Sequence, residues 1–205
     1  MSYIPAIGLE IHIELNTKTK MFCACENNPF FAEPNTNICP ICLGHPGTLP
    51  TINMGAIKNT LRLGIALNGH IPERSNFDRK SYFYPDLPKG YQISQYEHPL
   101  VQGGSLKNIH ITRIHLEEDT GKILHLTPDK VTIGKASKVN GQMSNVSLID
   151  FNRAGVPLVE LVTEPELQSG KEAMDFAREL QLILRYLNIA NADMEKGEMR
   201  VEANI

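Results

Sequence analysis

Residues 7–15 read IGLEIHIEL, and the period of that stretch decides the fold. Ile7, Leu9, Ile11, Ile13 and Leu15 occupy every second position, with Gly8, Glu10, His12 and Glu14 between them. Successive side chains of a strand point to opposite faces, so the stretch is a β-strand with one core-facing side and one polar side. Taken alone, such a polar face is compatible with solvent. The pattern returns twice. In Ile109 to Glu118, Arg113, His115 and Glu117 oppose Ile114 and Leu116. In Met199 to Ile205, Arg200, Glu202 and Asn204 alternate with Met199, Val201, Ala203 and Ile205. Three strands with acidic residues opposite an apolar face point to a shared polar cavity. Carboxylates with an imidazole suit Mg²⁺ or Mn²⁺, which bridges nucleotide phosphates during phosphoryl transfer.

The segments around these strands place the chain in the α+β class, β-rich with at least two packed helices. VPLVELVT (156–163) is apolar enough for a central strand, with Glu160 as its interior exception. Ala56, Ile57, Thr60, Leu61, Gly64 and Ile65 recur at helical spacing, with Asn53 as the N-cap. Ser169 and Glu172 fit a capping box. After them Ala173, Phe176, Ala177, Leu180, Ile183, Leu184 and Leu187 form one apolar, core-packing stripe. Residues 121–150 suggest further short strands and a turn near Asn140-Gly141.

All four cysteines fall within a loop-dominated insert at about 21–50, as Cys23, Cys25, Cys39 and Cys42. Disulfides are disfavoured in a reducing cytosol, and a C-x-C pair is too close to bridge comfortably. Four thiolates in two knuckles suit zinc, and a full set of protein ligands makes the role structural. Gly44 and Gly47 permit the tight turns of a knuckle, and His45 is not needed as a ligand.

FDRKSYFYPDLPKGYQISQ (77–95) interleaves Arg79, Lys80 and Lys89 with Tyr82, Tyr84 and Tyr91. Cations among aromatics can hold phosphates and stack bases. Neither G-x-x-x-x-G-K-[ST] nor G-x-G-x-x-G occurs, so neither common nucleotide fold is signalled. The 205-residue chain has a formal charge of −3. A bulk electrostatic grip on nucleic acid is therefore not expected, and an RNA partner would be held over a small area only. No apolar run approaches a membrane span, and no signal or transit pattern opens the chain, so the expected compartment is the cytoplasm, without membrane association.

Seven stretches together resemble the B subunits of the glutamyl/aspartyl-tRNA amidotransferases. They are IGLEIHIEL (7–15), KMFCAC (20–25), PNTNICPICLGHPGTLP (34–50), FDRKSYFYPDLPKGYQISQ (77–95), IHLEEDTGK (114–122), DFNRAGVPLVELVTEPEL (150–167) and MRVEANI (199–205). They keep the family's order and cover essentially the whole chain. The resemblance implies a β-rich catalytic cradle domain over residues 1–205 with a zinc-binding insert. It implies ATP- and Mg²⁺-dependent phosphorylation of the carboxylate on Glu-tRNA(Gln) or Asp-tRNA(Asn). Ammonia made from glutamine by a separate amidase, the A subunit of the enzyme, would then form the amide. The assembly implied is a heterotrimer completed by a small C subunit. Carried over by position, Glu10, His12, Glu117 or Glu118, and Glu202 would surround magnesium, with strand period favouring Glu117. Cys23, Cys25, Cys39 and Cys42 would hold zinc. Arg79, Lys80 and Tyr82 would lie near phosphate or the tRNA acceptor end, and Lys89 would join Glu10, His12 and Glu117 in catalysis. Val201 and Glu202 stand where the family usually has Cys and Asp, and Ser81 stands where Asn is common. The family continues into helical and tail domains, which this stretch is expected to lack.

A zinc-ribbon RNA-binding module would explain the cysteines but not the acidic strand faces. A stand-alone metal-dependent phosphohydrolase would leave the insert and the aromatic loop idle.

Overall fold

The computed structural model describes residues 3–126 and 146–205. Its elements run β1 (Gly8–Glu14), α1 (Met54–Ala66), β2 (Asp78–Ser81), β3 (Tyr91–Ser94), β4 (Val101–Gln102), β5 (Ser105–Leu106) and β6 (Ile109–Glu118). There follow β7 (Lys122–Leu126), β8 (Val146–Asp150), β9 (Pro157–Thr163), α2 (Gly170–Tyr186) and β10 (Met199–Asn204). The turn expected at Asn140-Gly141 lies outside the described residues. β7 and β8, which flank it, pair as an antiparallel ribbon.

The main sheet has the order β10-β1-β9-β6-β4, with β5 added to β6, and its ladders are antiparallel. Two helices and mostly antiparallel sheets make an α+β chain, in agreement with the sequence pattern. Ile7, Leu9, Ile11, Ile13 and Leu15 of β1 and its flanks are at most 5% exposed. Each such burial stabilises the fold by roughly 1.5–3 kcal/mol. Val159 and Leu161 of β9, Ile111, Ile114 and Leu116 of β6 and Met199 of β10 belong to the same apolar cluster. Ile111 and Ile114 are three apart, which strict alternation would send to opposite faces. The register shift between Ile111 and Arg113 resets the alternation, so both reach the core.

Both helices pack into that cluster, α1 through Ala56, Leu63 and Leu67 and α2 through Phe176, Ala177, Leu180 and Leu184. Asn53 caps α1 by accepting from the N–H groups of Gly55 and Ala56 at 2.8 and 3.3 Å. Ser169 accepts from the Glu172 N–H at 3.2 Å, while the Glu172 carboxylate reaches back to the N–H of Gln168 at 2.8 Å. The reciprocal arm of the capping box thus lands one residue ahead of the cap. Among the described residues no helix is long and apolar enough to cross a membrane.

With the apolar side of the sheet covered by helices, its polar side is left to the β2–β3 hairpin. The hairpin docks on β6 through side chains rather than through a ladder. The Leu116 N–H donates to Gln95 Oε1 at 3.0 Å, and Gln92 Nε2 donates to the Glu118 carbonyl at 2.6 Å. The cysteine insert contains no helix or strand. It is stitched to the segment joining β8 and β9 instead. Asn35 donates to the Asp150 carboxylate and the Ile149 carbonyl, and its own Oδ1 accepts from the Phe151 N–H. Fully buried Asn152 accepts from the Asn37 N–H and donates to the Glu33 carbonyl.

Candidate functional site

The register of the sheet lays its polar residues out in rows. One row runs Arg200 (β10), His12 (β1), Glu160 (β9), His115 (β6), each the cross-strand partner of the next. On one side of it lie Glu202, Glu10, Val162 and Arg113; on the other lie Glu14, Leu158 and Glu117. Directly opposed Cβ atoms are about 5 Å apart, so Glu160 is held between two imidazoles by backbone geometry alone.

Glu160 Oε2 lies 3.4 Å from His12 Nε2 and 3.3 Å from His115 Nε2. Glu117 sits across from it, with Oε1 3.7 Å from His12 Nε2 and Oε2 3.8 Å from His115 Nε2. The Ser94 hydroxyl of the hairpin donates to Glu117 Oε2 at 3.0 Å and fixes that carboxylate. Two groups gather ligand atoms within 4.8 Å of one another: Glu10, His12 and Glu160, and His115, Glu117 and Glu160. Glu160 belongs to both.

Burial alone would depress both imidazoles, yet contact with Glu160 and Glu117 outweighs it and raises them above the ordinary histidine value. Burial likewise opposes charge on Glu160, but His115 and His12 hold its carboxyl far below the usual range. Glu10 is pushed up, first by sharing a hydrogen bond with Glu160 and then by burial. Nδ1 of both histidines is buried without a hydrogen-bond partner. Carboxylates crowded against one another and around imidazoles are a donor set that a hard divalent cation fits.

Part of this patch lines a cleft of about 550 Å³, with Glu10, His12, Glu117 and Glu202 on its acidic side and Lys80, Arg153 and Arg200 on its basic side. Glu160 and His115 line a second cavity of about 410 Å³ that shares Glu10 and Lys80 with the first and adds Arg79 and Arg113. Tyr82 and Gln92 of the hairpin segment close the first from above. Burial and then the neighbouring Asp86 and Glu117 push Tyr82 up to about 12, so it stays a neutral donor. At the far end Arg200 grips Asp119 Oδ2 with both terminal nitrogens at 3.1 Å. Arg153 donates to the carbonyls of Thr120 and Gly121.

The structure therefore brings together Glu10, His12 and Glu117, with Glu202 exposed at the rim beside Glu10. It also places Lys80 and Tyr82 in the cleft wall. Glu118 points away from this group. Its carboxylate pairs with Lys89 Nζ and accepts from the Ile93 N–H at 3.0 Å. Burial raises Glu118, with Lys89 the main opposing influence. Lys89 thus lies between the hairpin and the cysteine insert, where it lines a cavity with Cys23, Cys42 and Arg79. Arg79 lies over the Tyr91 ring at 4.7 Å. Sequence reasoning passed over Glu160, Arg153 and Arg200 as site residues; the one signal for Glu160 was a charge inside an otherwise apolar strand.

The four cysteines form the third ligand group, their sulfurs within 4.8 Å of one another. Cys39 and Cys42 Sγ are 3.8 Å apart. Two ligands on a tetrahedral zinc with Zn–S near 2.3 Å are separated by about 3.8 Å, so the thiols already stand at coordination distance. The Cys39 N–H donates to Cys42 Sγ at 3.1 Å. Hydrogen bonding from Cys23 leads the influences that lower the Cys42 thiol to about 4, against burial.

Comparison with known proteins identifies the family. Residues 5–205 match the family model described as GatB/GatE catalytic domain. The B subunit of the aspartyl/glutamyl-tRNA(Asn/Gln) amidotransferase of Gloeothece citriformis is 48% identical over 217 residues, covering 99% of this chain and 42% of that protein. The proteins of the same name from Pseudothermotoga lettingae and Thermosipho melanesiensis are 50% and 51% identical, each covering all of this chain. The chain thus spans 42% of the length of the curated relatives it matches.

Proposed function

The chain belongs to the GatB/GatE catalytic-domain family, and from that premise we propose that it carries the phosphorylating site of a tRNA-dependent amidotransferase. The substrate is the side-chain carboxylate of Glu-tRNA(Gln) or Asp-tRNA(Asn), and the phosphoryl donor is ATP. The carboxylate attacks the γ-phosphorus and ADP leaves. Ammonia then attacks the acyl phosphate, giving the amide and inorganic phosphate. The ammonia comes from glutamine, hydrolysed by a separate amidase in a cytoplasmic complex that also holds a small third protein.

The observation that carries this reading is the Glu160-centred group of two carboxylates and two imidazoles, set between two cavities that share Glu10 and Lys80 and have cationic side chains in their walls. The reaction joins two anions, so it needs charge offset and alignment more than a general base. Glu10, His12, Glu117 and Glu160 would hold Mg²⁺, with Glu202 at the rim. That cation would supply neutralisation of the charge developing on the transferred phosphoryl. Lys80, which has no ion-pair partner among the described residues, would meet phosphate from the hairpin side. Arg153 and Arg200 would fix the polarity of the far end. Cys23, Cys25, Cys39 and Cys42 would hold a structural zinc.

The test is ATP turnover by the full-length protein assembled with its amidase partner. ADP release that depends on misacylated tRNA supports the proposal. Turnover indifferent to the amino acid on the tRNA contradicts it.

A further inference from the structure

Lys20 is fully buried, with 0% exposure. A buried ammonium costs several kcal/mol unless a counter-charge and hydrogen-bond acceptors surround it. Its Nζ donates to the Asn37 carbonyl at 2.9 Å and lies 3.8 Å from Cys42 Sγ. Among the described residues no carboxylate comes within ion-pair distance of it. The one acidic side chain within reach of the ammonium among those residues is therefore that of Cys42.

The backbone around Lys20 is fixed from two directions. Its N–H donates to the Cys25 carbonyl at 2.9 Å, which binds it to the first cysteine knuckle. The next residue, Met21, donates to the Gly155 carbonyl at 2.7 Å. Gly155 has φ +87°, and a Cβ there would come to 3.4 Å from Cys42 Cβ and 3.6 Å from Lys20 Cδ. Gly155 thus lies beside both the lysine stem and the second knuckle. Lys20 spans both halves of the cysteine group, its backbone on one and its ammonium on the other.

We propose that Lys20 is a positioning residue of the zinc site, its ammonium donating to the Cys42 thiolate and offsetting part of the charge of the tetrathiolate. The inference rests on the zinc reading given above. Four thiolates on Zn²⁺ would carry a net charge of −2, and a cation hydrogen-bonded to a ligand sulfur offsets part of it. Lys20 would reduce that to −1 from the segment that leads into the insert. A donor to a ligand sulfur also fixes the ligand's orientation and withdraws electron density from it. The bound zinc should accordingly resist both loss to a chelator and attack by electrophiles on Cys42.

Lys20→Met keeps the stem and removes the charge; Lys20→Arg keeps the charge. Zinc content, affinity by chelator competition and the rate of zinc release by a thiol alkylator are measured on the full chain, native and variant. The expected result is one zinc per native chain, a roughly 10–100-fold weaker affinity and faster release in Lys20→Met, and partial recovery in Lys20→Arg. A native chain that holds no zinc removes the zinc reading itself. A Lys20→Met chain that holds zinc with native affinity and release rate overturns the role of Lys20 and leaves the zinc reading standing. Should both variants fail to fold, the native chain loaded with ¹¹³Cd decides the matter. Slowly exchanging Lys20 ammonium protons that correlate with the cadmium nucleus support the proposal, and no such correlation overturns it.

Discussion

Glu14 stands two residues past His12 on the polar face of β1, yet its environment is of another kind. The residue is 6% exposed, and its Oε1 has no hydrogen-bond partner. The nearest cation, Arg200, is 4.0 Å from that oxygen and is already committed to Asp119. Burial, followed by repulsion from Asp119, pushes Glu14 from 4.5 up to about 8. At neutral pH the group is therefore protonated. The stability consequence has a definite sign. Between pH 4.5 and 8 the folded chain holds a proton that the unfolded chain has released. The contribution is fully present below 4.5, declines as pH rises and is gone above 8. At 1.36 kcal/mol per pH unit, that window is worth at most about 5 kcal/mol. Adjustment of Arg200 toward the ionised group should bring the observed value to about 2–4 kcal/mol. Glu14→Gln removes the titration. Any fixed cost of burying the amide cancels when the same variant is compared with the native chain at two pH values. Urea unfolding at about pH 5 and pH 8.5 should show the variant gaining those roughly 2–4 kcal/mol on the native chain at the higher pH. An equal difference at both values would refute the reasoning.

Lys89→Met should cost about 3–5 kcal/mol in urea unfolding, because it leaves the buried Glu118 carboxylate uncompensated, and adding Glu118→Gln should recover most of the loss. A similar loss in the single and double variants would show that the pair does not act as a pair. Gly44→Ala should destabilise by about 1–3 kcal/mol in a calorimetric melt, since φ is +68° and the added Cβ runs into Lys89. Cys39→Ser should lower zinc below one per chain and open residues 21–50 to limited proteolysis, whereas unchanged metal content would remove Cys39 from the ligand set.

Much of the fold is written in local pattern. The alternation of residues 7–15 and 109–118, the caps at Asn53 and Ser169 and the stripe of α2 are all short-range signals, and each appears in the structure where the pattern put it. The preference for Glu117 over Glu118 on the polar face follows from the same period, and the ladder with β9 sets His115 and Glu117 opposite Glu160 and Leu158. Glu160 was not legible as a site residue for a physical reason. β9 is covered on both sides, so its apolar run gives no facing, and only the register against β1 and β6 shows what its one charge meets. That register joins strands from opposite ends of the chain, as with His12 and Glu160, and no local window contains both. The destination of Lys89 was hidden in the same way, because its partner Glu118 and its neighbour Gly44 come from separate segments. Arg153 and Arg200 read as ordinary turn and strand cations until the fold brings both to Asp119.

The central claim is that the Glu160-centred group activates a carboxylate by phosphoryl transfer. It is tested most directly by trapping the activated acid. The full-length protein, assembled with its amidase partner, is incubated with ATP, Mg²⁺ and Glu-tRNA(Gln) or Asp-tRNA(Asn), with hydroxylamine in place of an ammonia source. Native protein should yield the hydroxamate of the tRNA-borne amino acid with one ADP released per molecule formed. Glu160→Gln, shown to be folded by its melting curve, should yield at least about 100-fold less, because a carboxylate facing both His12 and His115 is lost. Hydroxamate formed at the native rate by Glu160→Gln, or none formed by the native protein while ATP is consumed, would contradict the account.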